Sequence, residues 1–188
     1  MGEYYKTKES VKEYIELAKD VNGLELIDLL KQYLPEHSEL LEVGSGPGTD
    51  WRILNAFYKV TGSDNSLLFL DYLRKENKEG LFLHLDASSL DTLEKFAGIY
   101  SNKVLHHLTD DELKQSVKRQ YEIVDSKGII CHSFWKGSGS EVFKGLFVNY
   151  HTKESLEEVF GKYFEILLMQ DYAEFDPSDS ILLIGRKK

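Results

Sequence analysis

Residues 40–50 read Leu-Leu-Glu-Val-Gly-Ser-Gly-Pro-Gly-Thr-Asp, an apolar run that ends in one carboxylate and turns through three glycines. The apolar residues suit the end of a buried strand. Gly44, Gly46 and Gly48 lack the Cβ that disfavours positive φ and holds a ligand away from the backbone. A helix capped by Thr49 or Asp50 should start directly afterwards. Such a turn is a ligand cradle, and the charges beside it select the ligand. Glu42, two residues before the first glycine, repels a pyrophosphate and attracts an ammonium or sulfonium. Pro47 removes a loop N–H that a phosphate could use. No Lys-Ser/Thr pair follows the glycines, which excludes a P-loop.

The rest of the chain supplies a frame for that turn. Val11, Tyr14, Ile15 and Ala18 recur at helical spacing, as do Leu26, Leu29, Leu30 and Tyr33 ahead of Pro35, which predicts two helices before the first strand. Tyr4, Tyr5 and Tyr14 read as core or surface aromatics. After the turn the pattern alternates: helix 49–57, strand 58–63, helix 66–78, strand 80–85, a short helix 90–95 and strand 97–101. Thr109-x-x-Glu112 is a capping-box pattern that announces a helix over 110–124, and a strand follows over 128–135. Strands separated by helices in this way specify a parallel sheet covered on both faces, doubly wound by right-handed crossovers. The tail departs from the pattern. A Gly-Ser loop over 136–140 runs into an aromatic stretch, 143–150, and a helix capped by Thr152 covers 155–160. Strands 163–170 and 180–186 have no helix between them and must pair antiparallel.

At 188 residues the chain is expected to form a single domain, with residues 1–37 as a helical cover and 38–188 as an α/β core. A net charge of −9 gives no electrostatic basis for gripping a nucleic acid backbone or an anionic membrane. The single Cys131 can form neither an internal disulfide nor a cysteine-based zinc site, and reads as core packing. No apolar run reaches the ~20 residues of a membrane span, and the first residues lack a signal-peptide pattern, so the expected location is the cytoplasm.

The acid-x-Gly-x-Gly-x-Gly stretch from Glu42 to Gly48, following an apolar strand, resembles the first motif of the class I S-adenosylmethionine-dependent methyltransferases. The resemblance extends over about 40–186, and its specific motifs lie between Leu40 and Leu108. It implies a doubly wound, mostly parallel seven-stranded sheet whose last strand is antiparallel and inserts between the fifth and sixth, with N-terminal helices that close over the cofactor. It also implies transfer of a methyl group from S-adenosylmethionine, leaving S-adenosylhomocysteine, to an acceptor. The absence of a large insertion for recognising a macromolecule favours a small-molecule acceptor. No metal is needed. The acceptor's identity and the oligomeric state are not written in these residues.

Ligands of open α/β sheets collect at the carboxyl ends of the strands, so those ends nominate the site. Glu42, Gly44, Ser45 and Gly46 form the first motif. Asp64, about 20 residues after Gly44, offers two acceptor atoms to a ribose diol and is followed by Asn65; Asp64 as a helix cap is the alternative. By the resemblance, Asp86 accepts the adenine amino hydrogen and Ala87 offers its N–H to the ring; Asp86 too could be a cap. Asn102, closing the fourth strand, is assigned to the methionine portion. His106 and His107 continue beside the reacting centre, and three roles are open to them: metal ligation, core structure, or substrate orientation with His107 as general base. Trp135 and Tyr150, with His106, are candidates for the substrate wall, where aromatic faces could favour a cationic centre. Two other functions compete. One is an NAD-dependent oxidoreductase, although Thr49 stands where its fingerprint needs a third glycine. The other is a non-catalytic module that binds S-adenosylmethionine.

Overall fold

The computed structural model describes residues 7–17, 21–143 and 145–188. Tyr4, Tyr5 and Ala18 lie outside them. Two helices, α1 (Lys8–Leu17) and α2 (Leu24–Leu30), precede β1 (Glu39–Val43), α3 (Thr49–Leu54), β2 (Lys59–Asp64), α4 (Leu67–Glu76), β3 (Leu81–His84) and β4 (Phe96–Asn102). A 3₁₀ turn, Leu105–His107, leads to α5 (Asp110–Ile123) and β5 (Val124–Trp135). Then come β6 (Ser140–Phe143), β7 (Leu146–Asn149), α6 (Lys153–Phe160), β8 (Phe164–Tyr172) and β9 (Ser180–Lys187).

Seven strands form one sheet in the order β3-β2-β1-β4-β5-β9-β8. The first five are parallel to their neighbours, and β9 runs antiparallel between β5 and β8. The chain moves outward from β1 in one direction and returns at β4 to build the other half. The carboxyl ends of β1 and β4 are therefore the switch point where a crevice opens.

Two-residue alternation puts core on both faces. Leu41 and Val43 of β1 join Ile99, Ile130, Phe134 and Val117 in one cluster. Leu40 faces the other way, into Leu30, Leu54, Leu73, Tyr100 and Cys131. Cys131 is fully buried, and burial raises its thiol pKa above the ordinary range. Two of the predicted caps form: Thr109 and Glu112 satisfy each other's backbone N–H groups, as do Thr152 and Ser155.

Three local expectations fail. Neither Thr49 nor Asp50 caps α3, whose N-cap is Gly48 in the left-handed region with no side-chain cap bond, because the Asp50 carboxylate is taken by Gly23, Tyr100 and Asn102. Residues 90–95 form no helix. Leu90 is buried in the left-handed region at φ 41°, and Arg119 on α5 donates to the carbonyls of Leu90 and Thr92, satisfying acceptors that a helix would have used internally. The stretch after β5 is a hairpin, β6–β7, where a loop and an aromatic stretch were expected. It turns through Gly145 at φ 79°, which suits a residue without Cβ.

Candidate active site

Gly44 sits at φ 73°, and a Cβ there would come 2.5 Å from the side chain of Val104. Gly48 sits at φ 79°, where a Cβ would meet Leu73 at 2.5 Å. Between them the loop is tied to β2. Ser45 donates its N–H to the carbonyl of Ser63 (2.7 Å), and Ser63 returns its N–H to Ser45 Oγ (3.1 Å). Gly46 donates its N–H to Asp64 Oδ2 at 2.9 Å, and Ser66 donates to Oδ1 at 2.8 Å. Asp64 thus holds the tip of the glycine turn and starts the next helix, yet its two oxygens retain further lone pairs toward the cleft.

Glu42 lies at the end of β1, buried, and its Oε2 has no hydrogen-bond partner among the described residues. Burial, reinforced by the nearby Asp50 carboxylate, pushes its pKa up to about 8. Asp50 is fully engaged. It accepts from the Gly23 N–H (2.7 Å), the Tyr100 hydroxyl (2.7 Å) and Asn102 Nδ2 (3.1 Å). A single acid on α3 therefore pins the entry to α2, the body of β4 and the side chain of Asn102. Asn102 in turn accepts from the hydroxyl of Ser133.

These groups border two adjoining hollows at the carboxyl edge of the sheet. One, of about 80 Å³, is lined by Gly44, Asp64, Asn65, Ala87, Asn102 and His107. The other, of about 110 Å³, is lined by Glu42, Gly44, Ser45, Asp50 and Asn102. Tyr14 of α1 and Lys103 border both. Asp86 stands one residue back from the cleft, accepting from the N–H and hydroxyl of Ser88 and from Asn65 Nδ2.

The paired histidines differ. His107 reaches the cleft; its Nδ1 lies 2.7 Å from the carbonyl of Phe147, which can only accept. Nδ1 therefore carries the proton and Nε2 is left as a lone pair. Burial lowers the His107 pKa, partly offset by that bond. His106 is buried behind it with Nδ1 unpartnered among the described residues, and burial holds it neutral. Neither His106, Trp135 nor Tyr150 lines the hollows. Tyr150 lies over Gly137, and its hydroxyl donates to Glu141 on the hairpin. Among the described residues no group of three or more His, Cys, Asp or Glu is placed to hold a metal ion.

Three contributors escaped the sequence reading in these roles: Asp50 as a hub, Tyr14 and Lys103. Asp50 stands two residues after the last glycine, and its acidity was a visible signal for a cap alone. A fourth is a buried polar chain. Ser101 hydrogen-bonds His132 Nδ1 (2.8 Å), His132 Nε2 meets Gln120 Oε1 (2.8 Å), and Gln120 donates to Ser116, whose hydroxyl donates to the carbonyl of Ala87. The amide oxygen of Gln120 can only accept, so His132 donates from Nε2 and Ser101 donates to Nδ1. Burial pushes the His132 pKa down to about 3. This chain fixes Ala87 at the cleft from beneath.

Residues 40–128 match the family model for a methyltransferase domain. Those residues carry the signature of a methyltransferase domain. No curated protein matches it by sequence. The methyltransferase fold is shared with solved structures of low identity. The 1,6-didemethyltoxoflavin-N1-methyltransferase of Burkholderia thailandensis superposes with a TM-score of 0.79 at 18% identity, covering 96% of this chain and 84% of that one. The N-methyltransferase NodS of Bradyrhizobium japonicum gives 0.72 at 14%, covering 87% and 84%. A methyltransferase of Clostridium acetobutylicum gives 0.75 at 14%, covering 94% and 96%. The expected seven-stranded sheet with its inserted antiparallel last strand is the one observed.

Proposed function

We propose that the protein transfers a methyl group from S-adenosylmethionine to a nitrogen of a small molecule, in the cytoplasm and without a metal. One observation carries the cofactor assignment: the buried Glu42 carboxyl, with an oxygen unpartnered among the described residues, lines the same hollow as Gly44 and Ser45 of the glycine turn. A cationic amino acid moiety supplies the missing partner and favours the ionised form of the carboxyl once bound. The remaining groups fit the same ligand. Asp64 and Asn65 would take the ribose, Asp86 and the Ala87 N–H the adenine, and Asn102, Gly44, Ser45 and Gly46 the methionine portion. The N-terminal helices would cover the cofactor, with Tyr14 over it, as parts of one domain spanning residues 1–188.

When bound, the cofactor supplies a methyl group on a positively charged sulfur, already activated for displacement. The protein's task is orientation, which can supply up to roughly 7–11 kcal/mol of barrier reduction. His107, whose Nδ1 is bonded to the Phe147 carbonyl, would accept a proton at Nε2 from an acceptor that arrives protonated. The Burkholderia and Bradyrhizobium proteins are N-methyltransferases, and the former was solved with its small-molecule ligand and S-adenosylhomocysteine, which supports a small nitrogen acceptor here.

Calorimetric titration with S-adenosylmethionine, S-adenosylhomocysteine and NAD tests the reading. Saturable binding of the first two without the third is expected. Binding of NAD alone would overturn the assignment of all three carboxylates, and release of S-adenosylhomocysteine in a panel of small acceptors would separate an enzyme from a binding module.

A further inference from the structure

Lys103 follows the last residue of β4 in the left-handed region, at φ 53°. Its ammonium is received by a box built from three other elements. Nζ lies 3.5 Å from the ring centroid of Trp135 and 5.1 Å from that of Tyr172. It donates to Ser180 Oγ at 2.6 Å and pairs with Glu174 at 3.4 Å. Tyr172 donates its hydroxyl to the same Glu174 oxygen.

The box does not depend on Lys103 for its shape. Asp179 accepts from the N–H groups of Glu174, Phe175 and Asp176 and from the Ser180 hydroxyl, which locks the β8–β9 connection. Phe175 stacks on Trp135 at 5.9 Å. The ammonium also sits there at a cost: desolvation outweighs the attraction of Glu174 and Asp179 and lowers the Lys103 pKa to about 8.

The location matters as much as the chemistry. Lys103 and Glu174 border the hollow that contains Glu42 and Asp50. On its other side Glu174, with Tyr172 and Phe175, lines a groove of about 360 Å³ whose far wall is Leu24, Glu25 and Leu26. Glu174 thus stands between the cofactor hollow and an open groove with an apolar wall and a second acid. The bound ammonium first gives a proton to Glu174; the freed nitrogen lone pair then forms the N–C bond as the S–C bond breaks, and the positive charge moves from sulfur onto nitrogen. Aromatic faces stabilise charge arriving there.

We propose that the box of Trp135, Tyr172, Glu174 and Ser180 is the acceptor subsite for the nitrogen of an alkylamine, and that Lys103 occupies it as an internal stand-in until the acceptor enters from the groove. The proposal rests on the methyltransferase reading for its function, but the box itself binds independently of cofactor.

The test uses butylammonium, which has the four-carbon stem and charged head of the lysine side chain, against butanol, its neutral counterpart. The fluorescence of Trp135 reports occupancy, and Trp135→Phe supplies the background from Trp51, the only other tryptophan. Saturable binding of butylammonium to the native protein, at least ten-fold tighter than butanol, is expected. Binding should tighten a further ten-fold in Lys103→Ala and fall at least ten-fold in Glu174→Gln. Binding to Lys103→Ala with none to the native protein would mean a slot reserved for Lys103 and overturn the proposal, as would equal binding of amine and alcohol. Titration of the same samples with S-adenosylhomocysteine keeps the two readings apart: lost cofactor binding with retained amine binding counts against the cofactor site alone.

Discussion

At one end of the cleft, Glu42, Gly44, Ser45 and Gly46 come from a single stretch of chain, and what they present is largely backbone. At the other end, Trp135, Tyr172, Glu174 and Ser180 come from β5, β8, the connection after it and β9, and what they present is side chain. The first arrangement is local, and it is held by the bonds that tie Ser45 to Ser63 and Gly46 to Asp64. The second exists only because β9 inserts between β5 and β8. A common cofactor can be held by a local device, whereas the acceptor end is free to differ wherever strand ends and connections meet.

The comparison breaks most readily at Gly44. Alanine there must cope with φ 73° and a 2.5 Å approach to Val104, and is expected to cost about 2–4 kcal/mol of stability, with S-adenosylhomocysteine binding weakened ~100-fold. Gly139 has a similar φ of 80° but no atom of the described residues within 4 Å of its Cβ position. Gly139→Ala should cost only about 1–2 kcal/mol and leave binding intact, as denaturant melts and calorimetry would show. Equal effects at the two glycines would remove the steric argument for the cradle.

Glu42 offers a pH test with a defined sign. Its folded pKa, about 8, exceeds the ordinary 4.5, so the folded state holds the proton more tightly. The stabilisation is complete below pH 4.5 and is lost as pH rises toward 8. His132 runs the other way, since its folded pKa of about 3 lies below the ordinary 6.5 and its contribution is lost as pH falls below 6.5. Between pH 6.5 and 8 the Glu42 slope should therefore stand clear. Glu42→Gln is expected to flatten it and to gain on the order of 3 kcal/mol at pH 8.5 relative to the native protein, while weakening S-adenosylmethionine binding. A melting temperature with the same pH profile in native and variant protein would refute the buried, protonated carboxyl.

Smaller effects sharpen the contrast. Asp64→Ala should weaken cofactor binding by about 1–3 kcal/mol through loss of a charged acceptor; unchanged affinity in a folded variant would take Asp64 out of the site. His107→Ala should leave cofactor affinity within about two-fold while slowing turnover of protonated amines by roughly 10²-fold. A loss confined to cofactor affinity would assign the ring to the wrong end of the cleft.

Lys103 and Trp135 are 32 positions apart by their numbers, and Glu174 lies farther still, so no local pattern could announce their meeting. Tyr150 and Trp135 looked alike as aromatics near the tail. The sheet sends Trp135 to the Lys103 box and the hairpin takes Tyr150 to Glu141. Asp86 shows the same limit at closer range: nothing about an acid at a strand end announces that it accepts from the N–H and hydroxyl of Ser88 and from Asn65.

The sequence by itself determined the parts whose physics is local. Glycine spacing set the positive-φ turn, alternation and helical periodicity set the α/β order, and the missing helix between the last two strands forced an antiparallel pair. Tertiary structure decided what depends on contact between distant segments. It made Asp50 the hub joining α2, β4 and Asn102, routed Ser101, His132, Gln120 and Ser116 beneath Ala87, and closed an aromatic box on Lys103. Each requires burial and direction as well as residue type, and a buried polar group finds its partner only once packing has removed water from both.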